Sequence, residues 1–280
     1  MENGPSKMGR REFLKNAISA IAGTAIAGSA LAAETTKTGA DTNETGNVFR
    51  EKIINDLLTK KEVTPNNGKE FLEKVDFWYK KHIEGGDNYQ SLKDGWTRLL
   101  DSNKKKESDL EVAFDIFKRE GVPNELIFLA LAESYWNKNA LNQGSSASGA
   151  WQFIPDTAKR FGIKNTKDIR ETTEAACKYL KLLKNLAKKC GNEIGISVTD
   201  SDAWLWAFLA YNRGEGYVLE RPSGKNGDFF KFNGDINEYI KNCKVKESVN
   251  YPTKIMGIAK ALEEMILENE TPSKVIKTKV

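Results

Sequence analysis

Between Leu131 and Pro155 the chain reads LAESYWNKNALNQGSSASGAWQFIP, and in those residues there is one acid, Glu133. It closes a run of small and apolar residues and is followed by Tyr135 and Trp136. A carboxyl at that position is partly desolvated and lies near the negative end of its helix, and both effects disfavour the ionised form. A carboxylic acid that stays protonated near neutral pH suits general-acid catalysis. The plainer reading is that Glu133 bonds a backbone amide or a nearby lysine and supports a loop. The next segment favours chemistry: Gly144 to Ser148 is small and polar, Gly149 admits a close backbone approach, and Trp151-Gln152 sets a flat apolar face beside an amide. Aromatic faces and amides together suit a sugar, whereas Trp151 by itself reads as core.

A second polar pair, Tyr211-Asn212, follows the apolar stretch AWLWAFLA just as Glu133-Ser134 follows ELIFLALA. A helix that is apolar all round is a buried helix, so two such helices ending in polar groups predict a shared cleft. Pro123 suits the first turn of the earlier helix and Ser201-Asp202 the cap of the later one. Between them the pattern predicts a short helix after Pro155 that stops at Gly162. A longer one runs from about Thr173 to Cys190 and ends at Gly191. From Val48 onward apolar residues recur at three and four in VFREKIINDLL, GKEFLEKVDFWYKKHI, LKDGWTRLL and ESDLEVAFDIFKREG, which predicts amphipathic helices. No period-2 strand of any length is visible. The fold class is all-α, with additional N-terminal helices over 48–110 and the cleft-bearing region over 111–270.

Four ordered motifs carry a resemblance to a known family: Glu133-Ser134, SGAWQFIP, AYNRGEG and ESVNY. The chain resembles the soluble lytic transglycosylase (SLT) domain of glycoside hydrolase family 23, in its membrane-bound lytic murein transglycosylase D type. The likeness runs from about Val112 to Leu267. It implies a goose-type lysozyme-like fold and cleavage of the β-1,4 bond between N-acetylmuramic acid and N-acetylglucosamine, leaving 1,6-anhydromuramic ends. Glu133 resembles the catalytic acid, which acts as general acid and then base. Ser134, Asn142, Gly149, Gln152, Tyr211, Asn212, Glu247 and Tyr251 fall at substrate-binding or motif positions. Asn142 or Gln143 stands where the family often has a serine, and YPTK where YVPK is usual. Peptidoglycan glycan strands are the implied partner. A lysozyme-like hydrolase of the same bond, which normally uses a second carboxylate, and a catalytically silent wall-binding protein are the alternatives.

The chain has 280 residues, 39% hydrophobic and 29% charged, which is ordinary globular composition and long enough for a substantial core. Its formal charge is +4, and without the first 32 residues, which hold four Lys/Arg and two Asp/Glu, it is +2. That balance does not point to nucleic acid. The N-terminus holds Arg10 and Arg11, then Phe13, Leu14 and Lys15, then a run of small, mildly apolar residues up to Ala30-Leu31-Ala32. This layout resembles a twin-arginine export signal with a small-x-small cleavage site. It predicts a leader over 1–32, export through the twin-arginine machinery and a place in the periplasm or cell envelope. The run is too weakly apolar for a stable membrane anchor. Residues 33–47 are polar and read as a flexible linker, and 271–280 as a tail. DTNETG, from Asp41, begins like a calcium loop, but its twelfth position is Lys52, so calcium is rejected there. No cofactor and no metal are expected, because His82 is the only histidine. Cys177 and Cys190 on one helix lie about 20 Å apart at ~1.5 Å per residue, so only Cys243 could bridge to either.

Overall fold

A computed structural model of the protein describes residues 42–64, 68–101, 107–219, 227–243 and 250–269. The predicted leader, most of the linker, the tail and Glu247 lie outside those residues. The helical periods become α1 (Thr42–Thr59), α2 (Lys69–Ile83), α3 (Gly86–Leu100), α4 (Asp109–Glu120), α5 (Leu126–Ser134), α6 (Pro155–Arg160) and α7 (Ile169–Glu193). They continue as α8 (Asp200–Arg213), α9 (Glu215–Val218), α10 (Asp228–Lys231), α11 (Ile236–Asn242) and α12 (Tyr251–Asn269). Among the described residues the extended pairing is limited to two isolated bridges, Leu141 with Ser148 and Ser148 with Phe153. The fold is all-α, as the sequence predicts.

The two runs that are apolar all round occupy the centre. In α5 every residue from Leu126 to Ala132 is buried, and in α8 every residue from Ala203 to Ala210. Around them α12 packs on α2, α5 and α8, while the amphipathic α7 packs on α4 and α8. Local chemistry sets several boundaries. Ser108 and Glu111 form a reciprocal capping box at the start of α4, which ends at Gly121 with φ +63°. Asp235 caps α11 by accepting from the amides of Asn237 and Glu238.

Five boundaries differ from the sequence reading. Helix α1 begins at Thr42, inside the stretch 33–47 read as linker. Helix α7 starts at Ile169, where Asp168 accepts from the Glu171 amide, and runs through Gly191 to Glu193. Gly191 stays helical for a packing reason: a Cβ there would lie 2.4 Å from Val198 Cγ2. The cap of α8 is Thr199, which accepts from the Asp202 amide at 3.1 Å, while the Ser201 hydroxyl bonds the Thr64 backbone instead. Pro123 precedes α5 by a turn rather than lying in it.

None of the three cysteines is in a disulfide. Cys177 and Cys190 are buried, Cys243 is half-buried, and Cys190 donates to the Leu219 carbonyl at 3.0 Å. Neither candidate disulfide, Cys190–Cys243 or Cys177–Cys243, is formed. No helix among the described residues is long and apolar enough to cross a membrane.

Candidate active site

Helix α5 carries Glu133 in its last turn, and both of its ends are fastened by chain from elsewhere. At the start, the buried Glu125 carboxylate accepts from the amides of Glu62 at 2.6 Å and Val63 at 3.2 Å. At the other end Lys254, on α12, donates to the Ala132 carbonyl at 2.7 Å. Arg98, on α3, donates to the Tyr135 carbonyl at 2.8 Å. A cation on the last carbonyls of a helix is favourable both as a hydrogen bond and through the helix dipole. These contacts hold a backbone that needs holding: Tyr135 and Trp136 have φ +49° and +57°, a conformation that costs a non-glycine residue about 1–3 kcal/mol. Burial of Trp136, whose indole donates to Asp109 at 3.2 Å, offsets that cost. Gly95 completes the fit, because a Cβ there would lie 2.8 Å from the Tyr135 carbonyl oxygen.

Beside Glu133 opens a cavity of about 310 Å³. Asn142, Ser145, Gln152, Tyr179, Tyr211 and Asn212 are among the residues that line it, and Glu133 is the one carboxylate of the lining. The Tyr251 hydroxyl donates to Glu133 Oε1. Burial holds the Glu133 carboxyl above the usual carboxylate range, against the opposing pull of the Tyr251 hydrogen bond and the Lys254 charge. Burial, with Glu133 nearby, also pushes the phenols of Tyr211 and Tyr251 far up, so both remain neutral donors. The Tyr211 hydroxyl donates to the Trp151 carbonyl at 2.8 Å. That bond ties the end of α8 to the loop that follows α5.

Most of the acids nearest in sequence are engaged elsewhere, and none lines the cavity. Asp168 caps α7, and Glu171 accepts from the amides of Lys164 and Asn165. Glu174 pairs with Arg119, Asp202 accepts from Thr199, and Asp156 lies in the first turn of α6. Among the described residues, no group of three or more His, Cys, Asp or Glu could hold a metal ion.

A sequence model of the transglycosylase SLT domain family matches residues 114–229. The chain carries a transglycosylase SLT domain. It is 31% identical over 121 residues to membrane-bound lytic murein transglycosylase D of Escherichia coli (strain K12), which covers 40% of this chain and 24% of that protein. It is 26% identical over 208 residues to membrane-bound lytic murein transglycosylase F of Shewanella pealeana, covering 72% of this chain and 40% of that one. The chain thus spans about a quarter of the length of the first relative. Both relatives are murein enzymes by name. Glu133, Gln152 and Tyr211 fall inside the matched SLT span, whereas Arg98, Tyr251 and Lys254 come from outside it.

The geometry of the SLT domain sorts the candidate residues. Glu133, Asn142, Gln152, Tyr211 and Asn212 line the cavity, and Tyr251 reaches it through its bond to Glu133. Asn142 Oδ1 accepts from the amides of Gly144 and Ser145, so what it offers the cavity is its amide NH₂. Gln152, with φ +51°, commits Nε2 to the Gly149 carbonyl at 2.8 Å.

Ser134 and Gly149 are not among the residues that line the cavity. The Ser134 hydroxyl donates to the Ala150 carbonyl at 2.8 Å and accepts from the Asn137 amide at 3.1 Å, stitching the end of α5 to the following loop. Gly149 is glycine because φ is +82° and a Cβ would lie 2.0 Å from the Thr166 carbonyl oxygen. Trp151 is core: it is fully buried and donates to Thr173 at 3.0 Å.

Sequence reasoning passed over Lys254, Arg98, Ser145 and Tyr179 as site residues. For Lys254 a signal was present, since it lies three residues after Tyr251 and the helical period puts the two on one face. Gly95 and Arg98 have the same spacing on α3. Ser145 lies in the small polar segment 144–148 that the sequence reading singled out as a whole, whereas Tyr179 had no such signal, because the packing of α7 against α8 brings it to the cavity.

Proposed function

We propose that the protein is an exported peptidoglycan lytic transglycosylase that cleaves the β-1,4 bond between N-acetylmuramic acid and N-acetylglucosamine. The observation that carries this reading is a single carboxyl, Glu133, at a cavity with no second carboxylate in its lining. The SLT domain and the names of the relatives support the substrate class. Glu133, whose carboxyl burial holds above the usual carboxylate range, gives its proton to the glycosidic oxygen as the bond from C1 to that oxygen breaks. The resulting carboxylate is stabilised by the Tyr251 hydroxyl and by the nearby Lys254 charge. It then takes a proton from the C6 hydroxyl of the same muramic acid as that oxygen bonds to C1. Glu133 ends protonated, ready for another cycle, and the product is a 1,6-anhydro ring.

An internal nucleophile needs no water positioned by a second acid, and its effective molarity can reach ~10⁵ M or more. Hydrolysis by a two-carboxylate mechanism has less support, since no second carboxylate lines the cavity. Export rests on the sequence of residues 1–32, and the envelope is where this substrate lies.

The test is mass analysis of products from purified sacculi. The expected result is 1,6-anhydromuramyl ends from the wild type and no release by Glu133→Gln, with the helical circular-dichroism signal retained. Reducing muramic acid ends would make water the nucleophile, and full activity of Glu133→Gln would remove Glu133 from the site.

A further inference from the structure

Among the described residues Tyr217 is the most exposed of the large apolar side chains, at 68%. It lies on α9, which leaves the cleft at Gly214, a residue of the cavity lining. The ring stands against that rim: a Cβ built on Gly214 would lie 3.8 Å from Tyr217 Cδ2. Its neighbours Val218 and Leu219 are buried, and Glu215 is paired with Arg160 of α6 at 2.6 Å. The Tyr217 amide donates to the Gly214 carbonyl at 3.3 Å. The backbone beneath the ring is therefore fixed while the ring itself faces solvent. Ile154, which lines the same cavity, and Leu141, next to the lining residue Asn142, are also exposed, at 43% and 65%. Half of the exposed large apolar side chains of the described residues thus border one cleft.

The cavity's size supplies the reason for such a border. A volume of about 310 Å³ is at the small end of the ~300–1,000 Å³ that encloses a drug-sized ligand. A glycan polymer with one sugar beside Glu133 must continue over the rim. An exposed apolar patch continuous with a cleft marks a binding surface, and a flat aromatic face matches the C–H face of a pyranose ring.

We propose that Tyr217 is an outer sugar-binding platform, on which a pyranose ring of the glycan stacks where the strand leaves the cavity past Gly214. This rests on the reading of the cleft as a glycan site and adds a contact remote from the bond that breaks. Tyr217 is a binding residue, so its loss weakens capture of the strand and leaves the chemistry at Glu133 alone.

The experiment compares Tyr217→Ala, Tyr217→Trp and, as a similarly exposed aromatic on α2, Phe77→Ala, in the full chain. Initial rates on soluble glycan strands give KM and kcat, and co-sedimentation with sacculi in the Glu133→Gln background gives binding without turnover. Tyr217→Ala is expected to raise KM and weaken co-sedimentation about tenfold, the worth of roughly 50 Å² of apolar surface covered on binding. The loss should fall on KM, with the melting temperature unchanged. Tyr217→Trp should restore binding, and Phe77→Ala should match its parent. Unchanged KM and binding in Tyr217→Ala would overturn the proposal, as would a loss confined to kcat or to melting temperature. Absence of cleavage by the wild type would overturn the functional reading instead, and co-sedimentation would still decide the role of Tyr217.

Discussion

Helices α5 and α8 are alike in being buried on all sides and in ending with a polar pair at the cleft, yet they end in different ways. Helix α8 stops at Gly214, whose φ of +94° is open to glycine without strain. The polar end of α8 is tied to the fold within the matched span by Tyr211, which donates to the Trp151 carbonyl, and by Arg213, which pairs with the buried Asp228 at 3.1 Å. Helix α5 has no glycine at its end. It leaves through Tyr135 and Trp136, both left-handed, and depends on Lys254 and Arg98, two cations from outside the matched span. A catalytic carboxyl needs a defined position more than an easy turn. The strained exit of α5, held by cations brought to its last carbonyls from two other helices, supplies that definition, whereas α8 is fastened by side chains of its own last turn.

The largest expected effect comes from breaking the clamp. Lys254→Met removes the bond to the Ala132 carbonyl and the charge near Glu133, and turnover should fall ~10- to 100-fold, as for displacement of a catalytic group by a fraction of an ångström to an ångström. The sign of the pH effect follows from the chemistry. Glu133 must be protonated to start the reaction, so kcat/KM falls as pH rises through its pKa. Tyr251 and Tyr211 are neutral and Lys254 is the cation that pulls this pKa down, so the alkaline limb should move to higher pH in Lys254→Met. Lys254→Arg should restore both position and limb. A pH–rate profile that does not move would mean that Lys254 supports only the fold.

Smaller effects should distinguish the two polar pairs. Ser134→Ala leaves the Ala150 carbonyl without the Ser134 hydroxyl, while the Asn137 amide keeps the Ser134 carbonyl, and should cost about 1–3 kcal/mol of stability, with little change in turnover. Tyr211→Phe loses the bond to the Trp151 carbonyl and should cost a similar amount, but it also alters the cavity lining and should lower turnover. Denaturant melts beside kinetics would check both. A turnover loss in Ser134→Ala at unchanged stability would return Ser134 to the substrate contacts.

The smallest effect is a gain. The native pKa of Glu133 is raised above its unfolded value, so the native state holds its proton more tightly and the residue costs stability once pH passes the unfolded pKa. The cost grows until pH passes the native pKa. Glu133→Gln should therefore raise the melting temperature at neutral pH, by roughly 2–4 °C for each kcal/mol relieved, and the gain should vanish below about pH 4, near the unfolded carboxyl value. An equal gain at pH 4 and pH 7.5 would show that ionisation is not the cause.

The sequence by itself determined what depends on neighbours along the chain. The all-round apolar runs at Leu126–Ala132 and Ala203–Ala210 announced buried helices, and the polar residues after them announced a cleft, because burial and helical period are local patterns. The predicted direction of the Glu133 pKa also came from its immediate neighbours. Several local readings were overridden by packing: Gly191 reads as a stop but is buried within α7, and Ser201 reads as a cap but bonds Thr64. Trp151, which by itself reads as core, is core in the fold. Only the tertiary structure decided the partners of the carboxyl and its helix. Tyr251 meets Glu133 across 118 residues and Lys254 meets Ala132 across 122. A helical period can say that Tyr251 and Lys254 share a face, but it cannot say what that face meets, since that is set by α12 packing on α2, α5 and α8 together.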